Sequence, residues 1–298
     1  MTLLVVERRH PEVVFGFLTA LVDEELLPVE RQLEAMGWLR EPLTEIDEKS
    51  GVARWSKAFD GLKIRVVTGT INGMGQAESA IETFVFLQRF KPACVFLVGI
   101  AGSLNATNYM RGDVVVGSRV FWSSKNKVKE DKGVLTYRDN TYLTWDMETD
   151  HSKTLKRFLS ERFANAKNSS EMRDHVFFEP IFTWDMVVSS EVVVAEILDR
   201  WPRASCVEME AGGFLKAVAR FNGVRSGRGP RPVVVRGISD YAAFKKDDDD
   251  VRRRASMKAA EVAIATAEWM LNSNNRDHEL KPYLEVRQRQ MFPPRERA

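Results

Sequence analysis

Two runs in this chain are apolar at nearly every position for the length of a strand: "VVFGFLTA" (13–20) and "ACVFLVGIAGSL" (93–104). A third, "VVVRGISDYA" (233–242), starts the same way and then turns polar. A strand with one face in water alternates apolar with polar side chains. A strand without alternation must be covered on both faces. The chain is therefore expected to build a sheet with helices on either side.

The segments between these runs supply the helices. In "LVDEELLPVERQLEAMGW" the residues Leu26, Val29, Leu33 and Met36 recur at helical spacing, with Pro28 in the tolerated early turns. "NGMGQAESAIETFVFLQRFKP" opens with a glycine loop and is stopped by Pro92. Its expected apolar face is Ala77, Ile81, Phe84 and Val85. "SCVEMEAGGFLKAVARF" reads as a short strand feeding a helix, and "RRASMKAAEVAIATAEWMLN" as a closing amphipathic helix. Two runs within 52–71 flank Asp60-Gly61, a hairpin signal. Strand character is expected again across "HVFFEPIFTWDMVVSSEVVV", and a helix near 151–165 within the otherwise polar stretch 123–176. Strands and helices in alternation, with one antiparallel excursion, give an α/β sandwich around a mixed sheet. The domain is expected to span 1–272, with a polar tail over 273–298.

Several function classes receive no support. A formal net charge of +2 gives no argument for a nucleic-acid partner. Cys94 and Cys206 lie among apolar neighbours and read as buried thiols in a reducing compartment. The four histidines are scattered, without metal-ligand spacing, so no metal is expected. The opening "MTLLVVERRH" is the reverse of a secretion signal, and no stretch approaches a membrane span. The expected location is cytoplasmic, with no membrane partner.

In open α/β sheets, sites form beyond the carboxyl ends of strands. The strand exits here carry Asp23 and Glu24, then Gly73-Met74-Gly75, Gly99 to Ser103, Glu208-Met209-Glu210, and Ser239-Asp240. Each has an ordinary explanation taken singly: a charge in a helix's first turn, a cap, a tight turn. Together they would put carboxylates and glycine loops at one edge of the sheet.

That combination resembles the purine and uridine phosphorylase superfamily, in particular its nucleosidase branch, across most of residues 13–271. The resemblance rests on "GFLTALVDEELLPV", "INGMGQAESA", "FLVGIAGSL" with "RGDVVVG", "VVSSEVVV", "CVEMEAGGF" and "VVVRGISDYA", in the family's order. It implies a three-layer α/β sandwich around a mixed, partly barrel-like sheet. It also implies a cofactor-free purine nucleosidase and a homodimer or higher homo-oligomer. A narrower similarity, in "FLTAL", "LVGIAGSL" and "RGISDYA", is to phosphorylase-type domains of immune effectors, some of which are nucleotide glycosidases.

Carried over residue by residue, the resemblance makes Asp240 the acid that protonates the departing base, with Ser239 orienting it. Glu210 binds the ribose hydroxyls, Met209 lies on the sugar face, and Glu208 is structural. Glu24 activates water, with Glu25 as its alternative. Gly75, Ala101 and Gly102 belong to loops presenting backbone amides. Arg236 braces carboxylates. The base-stacking segment departs from the family pattern. Phe182, Trp184 or Tyr241 is expected to stack on the base, with Val193 nearby. No basic residue precedes the second glycine loop, where phosphorylases hold phosphate, so water is favoured as nucleophile. The alternative, phosphorolysis, would need a relocated arginine such as Arg111 or Arg119. A non-catalytic nucleoside sensor is a third reading. In "KKDDDDVRRR", Lys245, Lys246 and Arg252 to Arg254 could meet a nucleotide's phosphates, but the run reads more simply as self-neutralising and solvated. Lys125 and Lys127 carry the same ambiguity.

Overall fold

Strand β1 (Glu12–Thr19) sends Val13, Phe15 and Phe17 into one apolar cluster and Val14 and Leu18 into another. Both faces are covered, as its unbroken hydrophobicity requires. The computed structural model describes residues 12–45, 47, 50–59, 62–122, 128–131, 134–137, 140–143, 150–163, 175–224, 229–244, 249–272, 275–276 and 280.

A π-helical turn (Val22–Leu26) follows β1 and runs into helix α1 (Leu27–Ala35). Strands β2 (Leu39–Arg40), β3 (Ala53–Phe59) and β4 (Leu62–Thr70) come next, then helix α2 (Gln76–Phe90) and strands β5 (Cys94–Ser103) and β6 (Val114–Trp122). Short strands β7 (Val128–Asp131), β8 (Val134–Tyr137) and β9 (Asn140–Leu143) precede helix α3 (Asp150–Phe163). The chain continues through β10 (Val176–Thr183), α4 (Glu191–Arg200), β11 (Cys206–Glu208), α5 (Ala211–Val224), β12 (Arg231–Tyr241) and α6 (Asp249–Leu271).

The main sheet runs β11-β10-β6-β12-β5-β1-β4-β3-β2, and β11 also pairs with β5. That last pairing closes β5, β12, β6, β10 and β11 into a barrel, from which β1, β4, β3 and β2 extend as an open wing. β1 is parallel to both β4 and β5, and β12 is parallel to β5 but antiparallel to β6, so the sheet is mixed. Helices α1, α3 and α6 cover one face, and α2 and α5 the other. This is the three-layer α/β sandwich with a partly barrel-like sheet.

Gly237 shows how tightly the layers meet. A Cβ there would stand 2.1 Å from the carbonyl oxygen of Ala255 on α6, so only glycine lets that helix lie against β12.

Three expectations need adjustment. The strand character expected across 175–194 ends at Thr183, while the short helix read in "VVVAEILDRWP" is present as α4, which begins at Glu191, capped by the Ser190 hydroxyl, which accepts from Val193 N–H. On α2 the buried residues are Gln76, Ser79, Thr83, Phe86 and Leu87, whereas Ile81 and Val85 are exposed. Beyond the expected boundary at 272, Leu280 is buried in the first cluster and Asn275 Nδ2 donates to the Trp269 carbonyl at 2.9 Å. The Asp60-Gly61 pair lies outside the described residues, but β3 and β4 pair antiparallel up to Phe59 and Leu62. Lys125, Lys127, Lys245, Lys246 and residues 281–298 also lie outside them.

Candidate active site

Strand β12 is irregular where its sequence turns polar. Ile238 pairs with Ala101 and Asp240 with Gly102, leaving Ser239 as an extra residue. Neighbouring side chains in a regular strand face opposite ways, and a bulge re-aims them. Ser239 and Asp240 here both line the same cavity. Asp240 is buried, and its Oδ2 accepts from the Ser239 hydroxyl at 2.7 Å.

The short strand β11 delivers Glu208-Met209-Glu210 to the opposite side. Glu208 caps α5: its carboxylate accepts from the backbone N–H of Glu210 at 3.1 Å and of Ala211 at 3.0 Å. Glu210 Oε1 accepts from Gly75 N–H at 3.4 Å. The segment is held from behind by Gln76, which the sequence did not single out. Gln76 Nε2 donates to the Met209 carbonyl at 2.6 Å and to Thr183 Oγ1 at 2.7 Å, and its Oε1 accepts from Gly213 N–H at 2.6 Å.

The π-turn after β1 places two adjacent glutamates differently. Leu26 N–H bonds to the Leu21 carbonyl at 3.0 Å, an i to i−5 link that takes one residue more than an α-turn. Glu25 is thereby turned inward and buried, while Glu24 stays half-buried outside the cavity lining. Glu25 Oε2 accepts from Ala20 N–H at 2.8 Å and Leu21 N–H at 3.1 Å. Its Oε1 accepts from Ile100 N–H at 3.0 Å.

Arg236 ties these carboxylates together. It is fully buried, donates through Nη2 to Glu208 and, at 3.2 Å, to Glu210, and places Nη1 3.9 Å from Glu25 Oε1. Burial alone would lower the guanidinium pKa, but Glu208, Glu210 and Glu25 together hold it above its ordinary value. Burial pushes the Glu210 carboxyl up to about 8, against the pull of Arg236 and with a further push from Glu208 and Glu25. Burial also raises Glu25, only partly offset by Arg236 and the three backbone N–H groups.

The cavity opens to solvent, and the space between its walls, counting the open mouth, is about 600 Å³. Polar lining comes from Glu25, Glu208, Glu210, Ser239, Asp240 and Arg252. Apolar lining includes Met74, Ile100, Met186, Val187, Val188, Val207 and Met209. Ala101 and Gly102 line it as expected, and Gly75 touches it through its bond to Glu210.

Glu24, Phe182 and Val193 do not line the cavity. Phe182 is buried in a separate apolar cluster, its ring 4.6 Å from that of Trp201 and 6.1 Å from that of Trp184, and Val193 packs against the same cluster. Tyr241 faces Arg111, whose guanidinium stands 5.6 Å from its ring centroid. Neither Arg111 nor Arg119 lines the cavity. Met186, Val187 and Val188 were not singled out as cavity residues, Met74 only as part of a glycine loop, and Arg252 only as one of several basic residues that could meet a phosphate. Among the described residues, no group of His, Cys, Asp and Glu is arranged to hold a metal ion.

Known proteins resemble this chain in sequence and in fold. The 5′-methylthioadenosine/S-adenosylhomocysteine nucleosidase of Desulfotalea psychrophila is 27% identical over 193 residues, covering 61% of this chain and 74% of the relative. That of Staphylococcus aureus is 28% identical over 205 residues, covering 68% and 81%. The Helicobacter pylori 5′-methylthioadenosine/S-adenosylhomocysteine nucleosidase, solved with butyl-thio-DADMe-Immucillin-A, superposes with a TM-score of 0.61 at 19% identity, over 87% of this chain and 99% of that one. The native futalosine hydrolase of H. pylori gives 0.60 at 18% identity, over 86% and 98%. These structures share the fold. The family model matches residues 29–268, and the chain belongs to the phosphorylase superfamily.

Proposed function

We propose that this cavity hydrolyses the bond between a purine and ribose in a nucleoside or nucleotide, without a cofactor. The observation that carries the reading is the meeting of Glu25, Glu210 and Asp240 on one cavity. The chemistry balances as follows. As the bond from C1′ to the purine nitrogen breaks, its electrons stay with the purine, and Asp240 hands its proton to the ring. The sugar passes through an oxocarbenium-like state, and water adds at C1′ while Glu25 takes the water's proton. Products are the free base and the free sugar. A carboxylate whose pKa is lifted by burial is a better proton acceptor near neutrality, which suits Glu25. Glu210 accepts from ribose hydroxyls, Met209 covers the sugar, and Ser239 orients Asp240. The apolar cavity residues take the place of an aromatic base stack.

Water is favoured over phosphate for a reason visible in the hydrogen bonds. The backbone N–H groups of Ala20, Leu21 and Ile100 form an anion-binding nest, and the Glu25 carboxylate already occupies it. That the relatives at 27–28% identity are nucleosidases supports the same choice. We further propose a cytoplasmic protein, in keeping with its two buried free thiols, that works as a homo-oligomer.

The test is base release from adenosine, inosine, methylthioadenosine and AMP, with and without phosphate. Free base independent of phosphate is expected. Asp240→Asn and Glu25→Gln should each lower kcat by roughly 10²–10⁴-fold. Glu24→Gln should change it by less than about threefold, as a substitution away from the reacting groups does. Absence of free base from every substrate overturns the reading, and strict phosphate dependence replaces it with phosphorolysis.

A further inference from the structure

The charge run "KKDDDDVRRR" reads in sequence as a solvated face, but the structure separates its members. Arg253 pairs with Asp250 at 3.3 Å, and both side chains are largely exposed. Arg252, one position earlier in the first turn of α6, lines the cavity. Among the described residues it is the cavity's one cationic lining side chain. Helix α6 packs on both β12 and the π-turn. Arg252 therefore stands on the wall shared by the strand carrying Asp240 and the turn carrying Glu25.

Among the described residues its charge is poorly answered. The side chain is 21% exposed, and Nη1 lies 3.6 Å from Asp249 Oδ1, whose side chain is 83% exposed. An ion pair of that kind contributes little. Its Nε is buried and, among the described residues, has no hydrogen-bond partner. Arg236 differs: it sits behind the wall with three carboxylates around it. A guanidinium that faces a ligand cavity with donors to spare is suited to an anionic oxygen cluster.

We infer that Arg252 recognises a phosphoryl group, and that the preferred substrate is a purine nucleoside 5′-phosphate rather than the uncharged nucleoside. This rests on the glycosidase reading for the placement of the rest of the substrate. Asp240 takes the base, and Glu210 takes the 2′ and 3′ hydroxyls of the ribose. The 5′ substituent is what remains for Arg252. Inorganic phosphate offers the same chemistry, but the amide nest near the nucleophile is filled by Glu25.

The experiment compares AMP with adenosine in the wild type and in Arg252→Gln, by base release and by ligand-induced shift of Tm, with inorganic phosphate as a separate arm. The kcat/KM ratio of AMP to adenosine should exceed about 10 in the wild type and fall by about 10–100-fold in the variant, the worth of a charge-assisted contact. AMP should raise the wild-type Tm more than adenosine does, and the variant should lose that excess. Base release with an unchanged AMP-to-adenosine ratio in Arg252→Gln overturns the phosphoryl assignment and leaves the glycosidase reading standing. No base release, but an AMP shift that Arg252→Gln abolishes, overturns the glycosidase reading and keeps the assignment. A Tm shift with inorganic phosphate alone, joined to phosphate-dependent turnover, overturns the assignment in favour of a phosphate co-substrate.

Discussion

Asp240 and Glu210 were legible because their neighbours are distinctive, "RGISD" and "VEME" at strand ends. Glu25 was legible only as one of two, because counting along the chain assumes an α-turn and the backbone makes a π-turn. Arg252 was hidden inside a run of opposite charges, where only three-dimensional placement separates a lining residue from a solvated one. Gly99 had a signal, the glycine loop, but not its reason. A Cβ there would stand 2.2 Å from Arg236 Nη1 and 2.3 Å from Glu25 Oε1. Both partners are buried and held by other bonds, so neither yields cheaply. Gly99→Ala is expected to cost about 1–3 kcal/mol of stability, as overpacking does, and to displace Glu25. Urea unfolding and base release measured on the same preparation check it, and unchanged values on both would sink the close-contact argument. Glu210 carries a pH signature. Its carboxyl is raised from 4.5 to about 8 in the folded chain. The folded state therefore keeps a proton that the unfolded chain has released, and the linked stability is full below the unfolded value and lost as pH rises through the folded one. Thermal unfolding between pH 5 and 8.5 (roughly the window these values bracket) should show Tm falling with pH, with a shallower slope in Glu210→Gln. An equal slope in both would mean that Glu210 is not the group involved.

At the scale of elements, β1, β5 and β12 could be read from sequence because a strand covered on both faces leaves an unbroken apolar run. The face of α2 could not. Its apolar residues Ile81 and Val85 point outward, and Gln76, Ser79 and Thr83 point inward, because α5 approaches so closely that small and hydrogen-bonded side chains fit there. Periodicity reports that a helix has two faces, not which one the neighbour needs. Two local irregularities do the positioning at the site: the bulge at Ser239 and the π-turn at 22–26. Both insert one residue into a regular element, and both aim a carboxylate. Deleting Asp23, which is exposed, should relax the π-turn to an α-turn while leaving Glu25 at the cavity and α1 in place. The deletion is expected to retain base release within about tenfold, since a π-turn is an α-turn with one added residue. Adding Glu25→Gln to the deletion should abolish it. A deletion variant that folds, yet depends on Glu24 instead of Glu25, would refute this account of the turn.

For the whole molecule, the outward face of α2 lies beside the site. Gln76 N–H donates to Asp185 Oδ1 at 2.8 Å, which brings the segment after β10 against the start of α2. Exposed Met74, Met186 and Val187, all lining the cavity, therefore stand beside the helix whose next turns expose Ile81 and Val85. Exposed apolar side chains that group at a cavity mouth suit an interaction surface. The occupant we propose is a second copy of this chain. Met74, Met186 and Val187 line the cavity, so a partner seated on them would narrow the mouth and shield the reacting atoms from bulk water. Ile81→Asp with Val85→Asp should then convert the protein to monomer in light scattering and raise KM together with the loss of assembly. Neither residue lines the cavity, so that joint change would not follow from damage to the site itself. A monomeric wild type, or a double variant that assembles normally, would remove the second copy from the account while leaving Glu25, Glu210 and Asp240 where they are.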